Sequence, residues 1–212
     1  MPNQTPDLEQ VGRMGKGPTG RAHQSHDDVY MTDYRRVFLP GGCYFFTVVT
    51  QDRRPLFAEA DNVERLREGF RRVMAAHPFT IDAVVILPDH LHTVWRLPDD
   101  DADYPLRWRK IKHFVSIGME AGTARASLSR RREKGVWQRR YWEHAIRDEA
   151  DWQRHVDYVH FNPVKHGYVT RPEEWLYSSF HRAVAAGWYD AGWGEQLPPS
   201  LAGLDAKWGE GG

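Results

Sequence analysis

The chain is expected to fold as an α+β domain built on an antiparallel sheet, and three observations lead there. Its 212 residues, 41% of them hydrophobic, suffice for one domain plus tails and for a proper core. Short β-branched and aromatic runs alternate with segments whose apolar residues recur every three or four positions. Turn residues separate these runs at spacings that allow four strands and two helices before a further helix.

Residues 1–29 are polar, rich in Gly, Gln, Asp and His, and lack apolar periodicity, which reads as a disordered arm. The turn Pro40-Gly41-Gly42 leads into a first strand from Cys43 to Thr50, aromatic and β-branched throughout. Asp61 or Asn62 can cap a helix with apolar positions Val63, Leu66, Phe70, Val73 and Met74, stopping near His77-Pro78. Two strands follow, Phe79 to Leu87 and Leu91 to Leu97, parted by the turn Pro88-Asp89. After the acidic loop 99–103, a second helix is expected from Leu106 to about Gly122, with Trp108, Ile111, Val115 and Met119 on its apolar stripe. A basic loop from Arg125 to Gly135 leads to Val136-Trp137-Gln138 and a short strand around Tyr141 to Arg147. Asp148 or Glu149 opens a last helix through Trp152, Val156 and Val159, which Asn162-Pro163 is expected to end. The order βαββαβ plus a helix is the ferredoxin-like split βαβ pattern, also that of RRM domains, with helices on one face of the sheet. The domain is drawn over residues 30–182. The Gly-, Pro- and Trp-rich segment 183–212 is set apart as a C-terminal tail.

Several function classes are disfavoured at once. The lone Cys43 allows no internal disulfide and no multi-cysteine metal site, so a reducing cytoplasm is the simplest setting. The longest apolar runs fall far short of the ~20 residues of a membrane helix, and the start has no apolar leader, so no membrane partner is expected. Lys+Arg and Asp+Glu balance at 29 each, yet residues 104–147 hold twelve cations against three acids, a local +9. Trp108, Trp137, Tyr141 and Trp142 interleave with these cations. That mixture suits single-stranded nucleic acid, with cations for phosphates and rings for bases, although a solvated basic face would look alike.

Two clusters carry candidate chemistry. In Asp89-His90-Leu91-His92, strand alternation sends both imidazoles to one face, as two ligands of one metal ion require; two solvent-facing histidines are the plainer alternative. In Tyr158-Val159-His160-Phe161-Asn162-Pro163, Tyr158 and Asn162 share a helix face. A phenol can act as a covalent nucleophile, and an amide oxygen can complete a ligand set for a hard divalent ion. A capped helix end with a packed tyrosine would look the same.

Four segments in one order resemble the REP-associated tyrosine transposases, single-tyrosine HUH enzymes related to insertion-sequence transposases. They are Tyr34-Arg35-Arg36 with the strand after it, Leu87 to His92, Trp137 to Arg147, and Tyr158 to Gly167. The resemblance runs from about Tyr34 to Phe180. It implies an HUH endonuclease fold with a C-terminal catalytic helix, His90 and His92 as metal ligands, Tyr158 as nucleophile and Asn162 as third ligand. The implied ion is Mg²⁺ or Mn²⁺. The implied partners are single-stranded DNA hairpins of the REP type, nicked nearby through a 5′-phosphotyrosine by a monomer. Arg35, Arg36, Lys112, Arg139, Arg147 and Lys165 lie in or beside the matched segments and are the expected DNA contacts. Asp89 or His160 could activate Tyr158. A hairpin-binding regulator without cleavage, or a metallohydrolase that uses water in place of Tyr158, are the competing functions. The histidine pair should adjoin a basic, Trp-bearing face.

Overall fold

The computed structural model describes residues 36–119, 135–190 and 192–203. The arm over 1–29, Arg35 and the cations Arg125, Arg130, Arg131, Arg132 and Lys134 lie outside the described residues. The elements are β1 (Cys43–Val49), α1 (Ala60–Ala76), β2 (Thr80–Ile86), β3 (His90–Arg96), α2 (Tyr104–Ile117), β4 (Trp142–Ala145), α3 (Glu149–Lys165) and α4 (Phe180–Ala185), with short 3-10 turns between them. The four strands form one sheet in the order β2-β3-β1-β4, every neighbouring pair antiparallel. This is the ferredoxin-like arrangement the element order predicts. Gly41 enters β1 at φ 68°, a left-handed turn in which its N–H reaches the carbonyls of Pro98 and Asp101.

Alternation along the strands makes two cores. Phe46, Val48, Leu91 and Trp95 face α1 and α2, where they meet Leu66, Phe70, Trp108 and Ile111. Trp95 stacks on Trp108 with ring centroids 4.3 Å apart. On the other face Phe45, Val85 and Val94 pack against Val156, Tyr158 and Val159 of α3. The expectation of helices on one face thus holds for α1 and α2, while α3 covers the opposite side. Residues beyond α4 pack there too, with Tyr189 and Leu201 buried in the α3 core.

Two boundaries depart from the sequence reading. Asp103 caps α2 through its carboxylate on the Leu106 N–H, so that helix starts at Tyr104, two residues early. The larger departure is that α3 runs through Pro163 to Lys165. Gly167, at φ 70°, ends it: Gly167 N–H bonds Val164 O and Tyr168 N–H bonds Pro163 O, the paired closure of a Schellman motif. Proline lacks only its own N–H, so the turn after it can close on other donors.

Candidate active site

His90 and His92 sit at alternate positions of β3, opposite Val49 and Thr47 of β1, and both are buried. Their ring centroids lie 5.0 Å apart and nearly perpendicular. The Nδ1 of each is taken up by a neighbour: Asp89 Oδ1 at 2.6 Å for His90, Thr47 Oγ1 at 2.9 Å for His92. Burial alone would raise the Asp89 carboxyl, but hydrogen bonds from His90 and Arg53 outweigh it and bring it down to about 2. An ionised Asp89 accepts the His90 Nδ1–H and leaves Nε2 as the basic nitrogen. That Nε2 is buried without a hydrogen-bond partner among the described residues. A carboxylate behind an imidazole whose far nitrogen is bare is the usual second layer of a metal-binding histidine.

α3 delivers the phenol. Asp148 caps its first turn through the Asp151 N–H. Asp151 in turn takes His144 Nε2 at 2.8 Å and the Arg147 Nε at 3.1 Å, which ties edge strand β4 to the start of the helix. These bonds outweigh burial and hold the Asp151 carboxyl well below the usual range. His155 bonds the Asp151 carbonyl and lies on His144 at 4.7 Å; burial, opposed by that backbone bond, brings it down to about 4. His144, Asp151 and His155 form a second group of possible metal donors, within 4.8 Å of one another, here satisfied by mutual hydrogen bonds.

One turn beyond His155, the Tyr158 ring is held edge-on to Phe45 at 5.9 Å and to His92 at 5.2 Å. Its hydroxyl accepts from Lys165 Nζ at 2.8 Å. Asn162 lies between these two residues on the same stripe of α3 and is fully buried. His166 follows, its ring 5.1 Å from that of His90. The fold therefore brings His90, His92 and Tyr158 together, with Asn162 on the Tyr158 face of the helix. Lys165, expected among the DNA contacts, donates to the phenol. Of the two expected activators, Asp89 has both oxygens engaged by His90 and Arg53, and His160 spends its nitrogens on Tyr189 and Ser179 deep in the α3 core. Phe45, Thr47 and His166 lie within the matched segments but were not singled out as site residues, although Phe45 and Thr47 follow from pairing β1 with β3.

The basic segment divides. Arg107 is buried and bonds Asp101 and the carbonyls of His77 and Pro78, and Trp108 is core, so neither belongs to a DNA surface. Arg36, Arg109, Lys112 and Arg139 instead line a groove of about 610 Å³ with Trp137 and Tyr141, and no carboxylate among its lining residues. Arg36 lies over the Tyr141 ring at 4.7 Å while pairing with Glu143, and Lys112 bonds the Gln138 carbonyl. Arg147 is tied to Asp151 at the far edge of β4. No helix among the described residues is long and apolar enough to cross a membrane.

No family profile matches the chain. The REP-associated tyrosine transposase of Escherichia coli is 40% identical over 173 residues, spanning 82% of this chain and 97% of that protein. A Haemophilus influenzae protein carrying the same family name is 42% identical over 166 residues, 77% of this chain and 94% of its own. Among solved structures, a REP-associated tyrosine transposase bound to a REP hairpin superposes with a TM-score of 0.69 at 38% identity, covering 85% of this chain and 98% of its own. With that identity over most of its length and the same fold, the chain belongs to the REP-associated tyrosine transposases.

Proposed function

We propose that this chain nicks and rejoins single-stranded DNA beside REP-type hairpins through a covalent 5′-phosphotyrosine on Tyr158. The observation that carries the proposal is the Tyr158 phenol held edge-on to His92, beside a second buried histidine whose Nε2 has no hydrogen-bond partner among the described residues. That bare nitrogen and the carboxylate behind it fit a divalent ion. His90, His92 and the Asn162 amide oxygen would hold Mg²⁺ or Mn²⁺, which when bound polarises a non-bridging oxygen of the scissile phosphate. The protein's own part is positional. Phe45 and His92 fix the ring, α3 sets the hydroxyl, and Asp89 and Thr47 orient the imidazoles. Attack of the Tyr158 oxygen on phosphorus releases a 3′-hydroxyl and stores the phosphodiester energy as an ester, so religation needs no nucleotide cofactor.

The hairpin-bound relative supports DNA hairpins as the partner. The groove of Arg36, Lys112 and Arg139 is the surface for the phosphate backbone, with Trp137 and Tyr141 available to bases. Arg147, and Arg35 outside the described residues, are kept as further DNA contacts, and the active unit is taken as a monomer. Labelled single-stranded hairpin oligonucleotides copied from palindromes of the source genome, incubated with Mn²⁺, should yield a denaturation-resistant adduct. Tyr158→Phe should bind the same oligonucleotides with affinity unchanged within a few-fold and form no adduct. An adduct in that variant would return the chemistry to water and overturn the proposal.

A further inference from the structure

The contact between Lys165 and Tyr158 points further than the metal site. Their separation of seven residues is two helical turns, so both sit on one stripe of α3, but only because the helix continues past Pro163. Nζ lies 2.8 Å from the phenol oxygen and 4.8 Å from the ring centroid. An ammonium has three donors and no acceptor, so the phenol oxygen is the acceptor in this bond. Such a bond strengthens as that oxygen gains negative charge, because a charge-assisted bond between ions exceeds one between an ion and a neutral group. The reacting oxygen gains charge when it attacks as phenolate and holds it again when it leaves.

From this geometry we infer that Lys165 is a catalytic residue, its ammonium carrying the charge of the Tyr158 oxygen both as it attacks the scissile phosphate and as it departs during religation. The inference rests on Tyr158 being the nucleophile. In the forward step the phenol proton passes to water, the oxygen–phosphorus bond forms, the bond to the 3′-oxygen breaks, and that oxygen takes a proton from water. In reverse, the 3′-hydroxyl attacks phosphorus, the tyrosyl oxygen leaves onto the Lys165 hydrogen bond, and water again balances the protons. Lys165 stands at the tyrosyl end of an in-line displacement. It therefore acts on one oxygen in both directions and favours neither product, as preorganised charge stabilisation requires.

The test uses the full chain, Mn²⁺ and the labelled hairpin oligonucleotides above, and measures affinity, the single-turnover rate of adduct formation, and the rate of religation from the isolated adduct. Lys165→Met should slow both rates by roughly 10²-fold while affinity stays within a few-fold. Lys165→Arg should recover part of the loss. Lys165→Cys, inactive to the same degree, should regain at least tenfold after aminoethylation, which rebuilds an amine of nearly lysine length. The native Cys43 interferes little, since burial pushes its thiol up to about 12. Rates in Lys165→Met within threefold of the unmodified chain would overturn the inference, as would a loss confined to affinity, which makes Lys165 a phosphate contact, or no recovery on aminoethylation. Failure of the underlying reading looks different: Tyr158→Phe would then still form adduct, or the unmodified chain would form none.

Discussion

On the side of the sheet covered by α1 and α2, Phe46, Leu91 and Trp95 meet Phe70, Trp108 and Ile111, an assembly of rings and aliphatic groups. On the other side, one residue along in the same strands, Phe45, Thr47, His90 and His92 are buried, and Phe45 and His92 meet Tyr158 of α3. Both faces are buried, but on the first the polar groups, Arg107 and Glu143, sit at the margin of an apolar core, while on the second they lie within it. The second also buries Asp157, His160 and Ser179, joined with Tyr189 in a chain of hydrogen bonds. Burying polar groups is tolerable where each finds a partner and costly where one does not, and His90 Nε2 has none among the described residues. One strand thus serves stability through its odd-facing residues and chemistry through its even-facing ones. The apolar face can tolerate the polar one because the two are separated by the backbone of the sheet itself.

The sharpest way to break this contrast is Trp95→Ala. Trp95 touches Phe46, Phe70, Phe79 and Trp108, so its loss should cost about 3–5 kcal/mol, read as a drop in the urea midpoint. A loss below ~1 kcal/mol would show that the α1/α2 face is not the stabilising one.

Between pH 6.5 and 4, acid should next act chiefly through the buried histidines of the polar face. Burial lowers His155 to about 4 and His160 to about 3, against 6.5 for the free side chain. Between these values the unfolded chain binds protons that the folded chain refuses, so stability falls as pH falls below 6.5 and stops falling on their account below about 3. Asp89, lowered to about 2 from 3.8, works in the same direction in the window beneath, its contribution present above 3.8 and lost toward 2. Urea melts should show stability falling steadily by several kcal/mol between pH 6.5 and 4. A flat profile over that range would mean these histidines are solvated, and the contrast would fail.

The smallest effect concerns the end of α3. Gly167→Ala meets open space but must hold φ 70°, so it should cost about 1 kcal/mol by thermal melt. Its effect on adduct formation should be the larger one, since the turn it closes follows Lys165 directly. Adduct formation at an unchanged rate would detach that turn from the placement of Lys165.

Much of this was legible in the residues. Cys43 to Thr50 reads as a strand because β-branched and aromatic residues fill it, and the His-x-His spacing puts both rings on one face by alternation alone. Misreadings came where a local signal stood for a distant one. Arg107 and Trp108 look like a DNA-facing pair in a basic helix, but the carbonyls of His77 and Pro78 and the ring of Trp95 claim them. Asn162-Pro163 looks like a helix stop, and the stronger signal, Gly167, stood five residues after Asn162. Ending the helix too soon hid the stripe on which Lys165 follows Tyr158 and Asn162.

By itself the sequence determined the order of elements, the side of the strand that bears the histidines, and the identity of the chemical groups, because periodicity and side-chain chemistry are local. Tertiary structure decided which groups meet. That Asp89 backs His90, that Tyr158 lies edge-on to His92, and that the groove cations gather around Trp137 while Lys165 turns to the phenol depend on strand register and helix packing. Those are set by contacts between residues far apart in the chain, which no local pattern encodes.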